Sequence, residues 1–133
     1  MDAPGRLNVV DSSAWLAYFS GEPTAEDFAP VIDALGQLVV PAVCVFEVFA
    51  VVARSRGAHA ASAATALMQR GTVVPLDATL AVLAARVGDA HRLPLADAIV
   101  YATARLVSGV VWTQDADFDG LPDVRFVPKR AVS

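Results

Sequence analysis

Four acidic side chains stand where a solvated surface charge is unusual, at the ends of apolar runs or within them. They are Asp11, Glu47, Asp97 and Asp115. Carboxylate oxygens are hard ligands, so a site that gathers several of them favours Mg²⁺ or Mn²⁺. The sequence therefore raises the hypothesis of a divalent metal centre, and each of the four residues has to be weighed against a simpler role.

Asp11 and Glu47 each have a simpler structural role that competes with metal binding, and the two roles differ. Asp11 follows a short apolar run, where it suits either a ligand or a helix N-cap, and the two interpretations are evenly matched. Glu47 interrupts the segment LVVPAVCVFEVFAVVA, in which every other residue is apolar or proline. An ionised Glu buried there without a partner would be very costly, and a pair with Arg54 would span two helical turns. Glu47 is therefore better explained as a site residue.

Asp97 and Asp115 are weaker signals when each is taken alone. Asp97 comes three residues after Pro94, and an acid in the first turn of a helix offsets the helix dipole. Asp115 is followed at alternate positions by Asp117 and Asp119. A polar turn would explain such a segment, but three acids so close together make a bound cation the more attractive interpretation.

The elements that must position these acids are short apolar strands alternating with helices. Solid apolar runs separated by helices predict a parallel sheet covered on both faces. The predicted strands are Leu7–Val10, Leu38–Val40, Thr72–Leu76, Val110–Thr113 and Val124–Val127.

Proline, glycine and small polar residues mark the ends of the predicted helices. Ser12 and Ser13 are the expected N-caps of the first helix, and Pro30 is expected to interrupt the second. The predicted helices run from Ser12 to Phe19, Thr24 to Gly36, Pro41 to Arg56, Ala58 to Gln69, Asp77 to Ala90 and Pro94 to Val107.

Convergence is the argument that joins the four acids. If the first and fourth strands are neighbours, Asp11 and Asp115 emerge side by side, and the helices of Glu47 and Asp97 begin at the same edge of the sheet. Two carboxylates about 5 Å apart repel by roughly 3 kcal/mol at an effective dielectric near 20. Four of them without a cation would shift their pKa values or push the site apart.

Composition limits the remaining choices. The 133 residues, 56% of them hydrophobic, suit one domain over 1–133 with a substantial core. The formal net charge of −4 argues against simple electrostatic binding of nucleic acid. Cys44 is the only cysteine, and no run approaches the ~20 apolar residues of a membrane helix. No signal-peptide pattern opens the sequence, so we expect a cytoplasmic protein that does not contact the membrane.

Four segments, in this order, resemble the PIN domain and, within it, the VapC-type toxins of toxin–antitoxin pairs. They cover nearly the whole chain and read VVDSSAWLAYF, VPAVCVFEVFAVVAR, LPLADAIVYATA and VWTQDADFDGLP. The resemblance implies a three-layer α/β/α fold around a central parallel sheet of four to five strands. It implies that Asp11, Glu47, Asp97 and Asp115 bind the metal, with Asp117 as an additional member. It also places the small hydroxyl residues Ser12 and Thr113 beside the metal.

The resemblance further implies an activity and partners. The reaction would be Mg²⁺- or Mn²⁺-dependent hydrolysis of RNA, in which water attacks in line and expels the 3′ oxygen, with Asp97 or Asp115 orienting that water. One ion or two would serve. The partners would be a cognate antitoxin and a second copy of the chain.

Three alternatives compete with this assignment. Asp115, Asp117, Asp119 and Gly120 match the start of an EF-hand loop, but Phe126 stands where that loop requires a Glu. A phosphoacceptor signalling domain needs a second acid beside Asp11, which is absent. A non-catalytic PIN scaffold would retain the fold, but the complete set of acids argues against it.

Overall fold

A computed structural model describes residues 5–131 and shows five parallel strands with six helices. The strands are β1 (Asn8–Val10), β2 (Leu38–Pro41), β3 (Thr72–Val74), β4 (Val110–Thr113) and β5 (Val124–Phe126). The helices are α1 (Ser12–Ser20), α2 (Ala25–Asp33), α3 (Ala42–Arg56), α4 (Ala58–Met68), α5 (Ala78–His91) and α6 (Leu95–Leu106). The single domain predicted over 1–133 includes residues 1–4 and 132–133, which lie outside the described part of the chain.

The sheet has the order β3-β2-β1-β4-β5, with every pairing parallel. The predicted α/β fold with a parallel central sheet is therefore confirmed, at five strands. α1 to α4 lie in the connections from β1 to β2 and from β2 to β3, and α5 and α6 lie in the connection from β3 to β4. Among these helices, α3 packs most extensively against α4 and α5 against α6. This order differs from the 2-1-3-4-5 order of flavodoxin-like signalling domains, which removes the phosphoacceptor alternative.

The direction in which successive strands are added to the sheet reverses at β1. Strands β2 and β3 extend to one side, and β4 and β5 lie on the other, so β1 and β4 are neighbours, with Val10 paired to Trp112. Ligands of open α/β sheets bind beyond the carboxyl ends of the strands at such a reversal. The predicted adjacency of the first and fourth strands is thus confirmed, and the fold provides a crevice there.

The core lies on both faces of the sheet and is most complete around α6. Every residue from Ala98 to Ala104 is buried, because α6 packs against α5, α3 and the central strands. Among residues 5–131, no helix has the length and hydropathy needed to cross a lipid bilayer.

Two predicted helix features are wrong. Pro30 does not interrupt α2, which continues to Asp33. The loss of one backbone hydrogen bond is offset by burial of Phe28, Val31 and Ile32 on the same helix. The N-cap of α1 is Asp11 and not Ser12 or Ser13, since the Asp11 side chain accepts a hydrogen bond from the backbone N–H of Ser13.

The closest approach of α5 and α6 depends on a glycine. A Cβ at Gly88 would lie 2.9 Å from the Cβ of Ala98, the residue after Asp97. Real Cβ atoms do not approach so closely, and the Ala98 methyl group has no rotamer to escape into. The position of Asp97 therefore depends on the missing side chain at Gly88.

We predict that Gly88→Ala lowers the free energy of unfolding by about 1–3 kcal/mol because α6 must shift outward. Urea denaturation measures the change. In an Ala98→Gly background the collision is removed, so adding Gly88→Ala should cost nothing or stabilise through helix propensity. An equal loss in both backgrounds would show that the two helices do not meet as described.

Candidate metal centre

The acids converge at the carboxyl edge of β1 and β4. Asp11 directly follows β1, and its backbone N–H donates to the carbonyl of Trp112 on β4, 3.0 Å away. Asp115 lies two residues beyond the end of β4. The two carboxylates therefore emerge from neighbouring strands into the crevice at the sheet reversal.

Three carboxylates form a compact cluster. Asp97, Asp115 and Asp117 each offer an oxygen, and these oxygens all lie within 4.8 Å of one another. Asp97 stands in the first turn of α6, as the sequence predicts. Asp115 accepts a hydrogen bond from the backbone N–H of Asp117 at 2.9 Å, which folds the segment after β4 into a short 3-10 turn. The same turn follows a strand, unlike the helix that precedes an EF-hand loop.

The electrostatics of this cluster are unfavourable without a cation. Burial raises the pKa of Asp97 to about 8, with further increases from the negative charges of Asp11, Asp115 and Asp117 and a hydrogen bond shared with Asp117. At neutral pH the metal-free cluster therefore keeps a proton on Asp97. A divalent cation would replace that proton and favour the ionised form. The donor set of carboxylate oxygens fits Mg²⁺ or Mn²⁺.

Asp11 is held by hydroxyl groups. Its Oδ2 atom accepts hydrogen bonds from Ser13 Oγ at 2.8 Å and from Thr113 Oγ1 at 2.9 Å. Burial raises the pKa of Asp11, and the hydrogen bonds from Ser13 and Thr113 oppose this rise. Thr113 Oγ1 also accepts from the backbone N–H of Asp115 at 2.9 Å. One hydroxyl thus fixes two of the acids relative to each other.

Neither Glu47 nor Asp11 is a member of the three-carboxylate cluster, and Glu47 is connected to the neighbour of Asp11 through Ser12. Ser12 Oγ donates to Glu47 Oε1 at 2.6 Å, and Ser12 is the residue next to Asp11. The Cys44 thiol is close to both acids: burial raises its pKa first, and the charges of Asp11 and Glu47 raise it further. Glu47 and Asp11 therefore face the same region of the molecule.

The predicted burial of Glu47 in an all-apolar helix is wrong. Glu47 is half-buried, and α3 buries only Cys44, Val48 and Val52 while Phe46 is 72% exposed. The prediction failed because apolar residues occur all around α3, whereas only one face of this helix is covered by the rest of the fold. The position of Glu47 in the second turn of its helix nevertheless agrees with the prediction.

The structure adds one residue that the sequence interpretation missed as part of the site. Ser13 was considered only as a helix cap, yet its hydroxyl group donates to Asp11 and accepts from the backbone N–H of Gln114 at 3.2 Å. The available signal was a second hydroxyl in the helical turn that begins directly after a strand-end Asp. Ser12 donates to Glu47 and Thr113 donates to Asp11, while their place beside a metal stays a prediction.

Comparisons with known proteins identify the family and the fold. A family model described as the PIN domain matches residues 9–124. No curated protein sequence matches the chain significantly.

Several solved structures share the fold. The VapC20 toxin of Mycobacterium tuberculosis, described as cleaving the sarcin–ricin loop, is 22% identical, with a TM-score of 0.73 and coverage of 93% of this chain and 99% of that chain. A toxin–antitoxin complex from Klebsiella pneumoniae is 22% identical, with a TM-score of 0.72 and coverage of 89% and 95%. A DNA-bound VapBC complex from Salmonella typhimurium is 15% identical, with a TM-score of 0.70 and coverage of 92% and 98%. At these identities the likeness is one of fold.

We predict that Asp97→Asn stabilises the metal-free protein increasingly as the pH rises. The folded-state pKa of about 8 lies above the ordinary value of 3.8, so the protonated carboxyl stabilises the fold fully below pH 3.8 and this contribution is lost as the pH rises through 8. The difference in melting temperature between variant and wild type, measured in chelator, should therefore grow from pH 4 to pH 8. In saturating Mg²⁺ the order should reverse, because the variant lacks a ligand. A pH-independent difference would contradict the raised pKa.

Proposed function

Because the chain belongs to the PIN domain family, we propose that it is a metal-dependent endoribonuclease that acts as the toxin of a toxin–antitoxin pair. The observation that carries this proposal is the carboxylate cluster at the reversal point of the sheet. Three carboxylate oxygens within 4.8 Å of one another and the raised pKa of Asp97 support the binding of a cation there. The names of the structural relatives, which include toxins and toxin–antitoxin complexes, support the biological role.

In this proposal the five acids bind the metal ion from different elements of the fold. Asp97, Asp115 and Asp117 would hold the ion, and Asp11 and Glu47 would complete the set from β1 and α3. Ser12, Ser13 and Thr113 would keep Asp11 and Glu47 oriented through the hydrogen bonds described above. A bound Mg²⁺ or Mn²⁺ would supply the Lewis acidity that lowers the pKa of water and offsets the charge of the phosphate.

The remaining chemistry belongs to the protein and the RNA. Water attacks the phosphorus in line and loses a proton as the bond between phosphorus and the 3′ oxygen breaks; the leaving oxygen takes up a proton from solvent, and the products are a 5′-phosphate and a 3′-hydroxyl. The chain needs no side-chain nucleophile. A carboxylate oxygen of Asp97 or Asp115 accepts a hydrogen bond from the attacking water and so orients it. The ionised form of Asp97 is the stronger hydrogen-bond acceptor, and a bound cation would favour that form over the protonated form of the metal-free site.

The antitoxin is proposed to cover an apolar groove on the helical face that carries α1, α3 and α4. The groove has a volume of about 330 Å³, and its apolar lining includes Leu16, Phe19, Val51 and Leu67. Phe46 and Phe49 lie exposed on α3, outside this lining, and are available to a second copy of the chain. The proposed toxin would act in the cytoplasm, where its RNA and antitoxin are found.

We predict that Asp11→Asn and Glu47→Gln each reduce RNA cleavage by about 100-fold or more while the far-UV circular dichroism stays unchanged. Gel analysis of a labelled RNA measures the rate. Asp33→Asn removes an exposed acid at the far end of α2 and should cleave at the wild-type rate. Wild-type rates in both site variants would overturn the assignment of these two acids to the catalytic site, whereas absence of cleavage by the wild type would favour a non-catalytic scaffold.

We predict that chelation abolishes cleavage and that Mg²⁺ or Mn²⁺ restores it, because the acids cannot bind phosphate without a cation. Calorimetric titration of metal into the chelator-treated protein should show saturable binding that Asp115→Asn weakens by about 10-fold or more. Cleavage that persists in excess chelator would contradict the metal requirement.

A further inference from the structure

A hollow of about 530 Å³ opens beside the acidic cluster, on the side of β5. Asp115 of the cluster forms one part of its wall, and Lys129 from the segment after β5 forms another. The remaining lining residues are Ser13, Gln114, Ala116 and Phe126. Its size falls within the roughly 300–1,000 Å³ of ligand-binding clefts. The hollow therefore places the only lysine of the chain beside one of the proposed metal ligands.

Lys129 is available to a ligand. Its side chain is exposed, and within residues 5–131 it forms no ion pair or hydrogen bond. Its neighbour Arg130 behaves differently, since it donates to Asp27 at 2.8 Å, to Glu26 at 3.3 Å and to the carbonyl of Pro23. An unpaired surface lysine is common by itself, so the argument depends on how this one is held.

The segment that carries Lys129 is fixed on both sides. Before it, the backbone N–H of Val127 donates to the carbonyl of Thr113 at 2.8 Å and extends the pairing of β4 with β5. After it, the contacts of Arg130 attach the chain to the start of α2. Lys129 is therefore presented to the hollow by an anchored backbone, and the side chain alone remains to be ordered by a ligand.

The positive charge of Lys129 would reduce the electrostatic repulsion between an RNA strand and the acids beside the hollow. An RNA strand that reaches the cluster meets Asp115, Asp117 and Asp119 along the same turn, and the whole chain has a net charge of −4. A metal ion offsets the repulsion at the scissile phosphate, but the flanking phosphates remain opposed by these acids. A lysine binds phosphate as a point charge and tolerates any base sequence.

We propose that Lys129 is a substrate-positioning residue that binds an RNA phosphate next to the scissile one, with the strand lying in the hollow over Phe126. This inference rests on the proposed ribonuclease function. It extends that function by assigning the direction in which the RNA leaves the metal centre, past β5. The contact requires positive charge and not a particular base.

Steady-state kinetics on a short single-stranded RNA test the proposal. Lys129→Gln should raise KM about 10-fold and leave kcat within about twofold, whereas Lys129→Arg should stay close to wild type. The slope of log affinity against log salt should fall by about 0.7 in Lys129→Gln, the amount expected for one lost phosphate contact with a single strand.

Arg70→Gln is the matched control. Arg70 is exposed, has the same charge and precedes the amino end of β3, at the edge of the sheet opposite the acids. It should change neither KM nor the salt slope appreciably. Equal effects of Lys129→Gln and Arg70→Gln would overturn the assignment of Lys129, while wild-type RNA cleavage in Mg²⁺ would leave the ribonuclease function intact. Absence of cleavage by the wild type would instead overturn the ribonuclease function.

RNA binding can also be measured without turnover, from the reactivity of the single lysine, Lys129, towards an acetylating reagent. An amine-specific acetylating reagent can modify only Lys129 and the α-amino group, so mass spectrometry reports both in one sample. In the Asp11→Asn background with Mg²⁺, RNA should slow acetylation of Lys129 about fivefold or more and leave the α-amino group as an internal reference. Equal rates at Lys129 with and without RNA would contradict the proposed contact.

Discussion

Repulsion between carboxylates at one point of the sheet is the constraint around which this molecule is organised. Near the reversal of strand order at β1, acids from α6 and from the turn after β4 form a cluster, and the charge of Asp11 at the end of β1 acts on it. The cost is visible in Asp97, whose pKa rises to about 8 because burial and three neighbouring acids disfavour its charge. A fold that maximised its own stability would not place these groups together, and such conflicts are characteristic of functional sites.

The surrounding structure limits this cost with hydroxyl groups. Ser12, Ser13 and Thr113 donate to Glu47 or Asp11, and Thr113 also ties the backbone of Asp115 to Asp11. These contacts keep the acids in place before any cation binds, so the site need not be assembled by the ligand. Gly88 contributes from a distance, because its missing side chain allows α6 to carry Asp97 close to the sheet.

The sequence was sufficient for most of the elements, because apolar runs, prolines and glycines are local signals. Of the four acids expected to converge, Asp97 and Asp115 lie in one cluster, whereas the roles of Asp11 and Glu47 as ligands stay predictions. Strand β4 was predicted with its observed limits, and Asp77 caps α5 as expected. The failures concern packing over long range. The outer face of α3 is exposed, and Pro30 is tolerated within α2. Ser13 contacts both Asp11 and Gln114. None of these features follows from the local sequence pattern. The proximity of Lys129 to Asp115 likewise depends on the path of the chain after β5 and on the anchor at Arg130.

In the proposed metal site, the raised pKa of Asp97 would make cation binding an exchange reaction. Near neutrality, a cation that enters the cluster has to displace the proton on this carboxyl, so loading the site releases acid into the medium. The apparent affinity for the ion then weakens as the surroundings become more acidic, and the heat of loading includes the ionisation heat of whichever buffer takes up the proton. A change in acidity would thereby alter the fraction of this protein that carries the proposed ion.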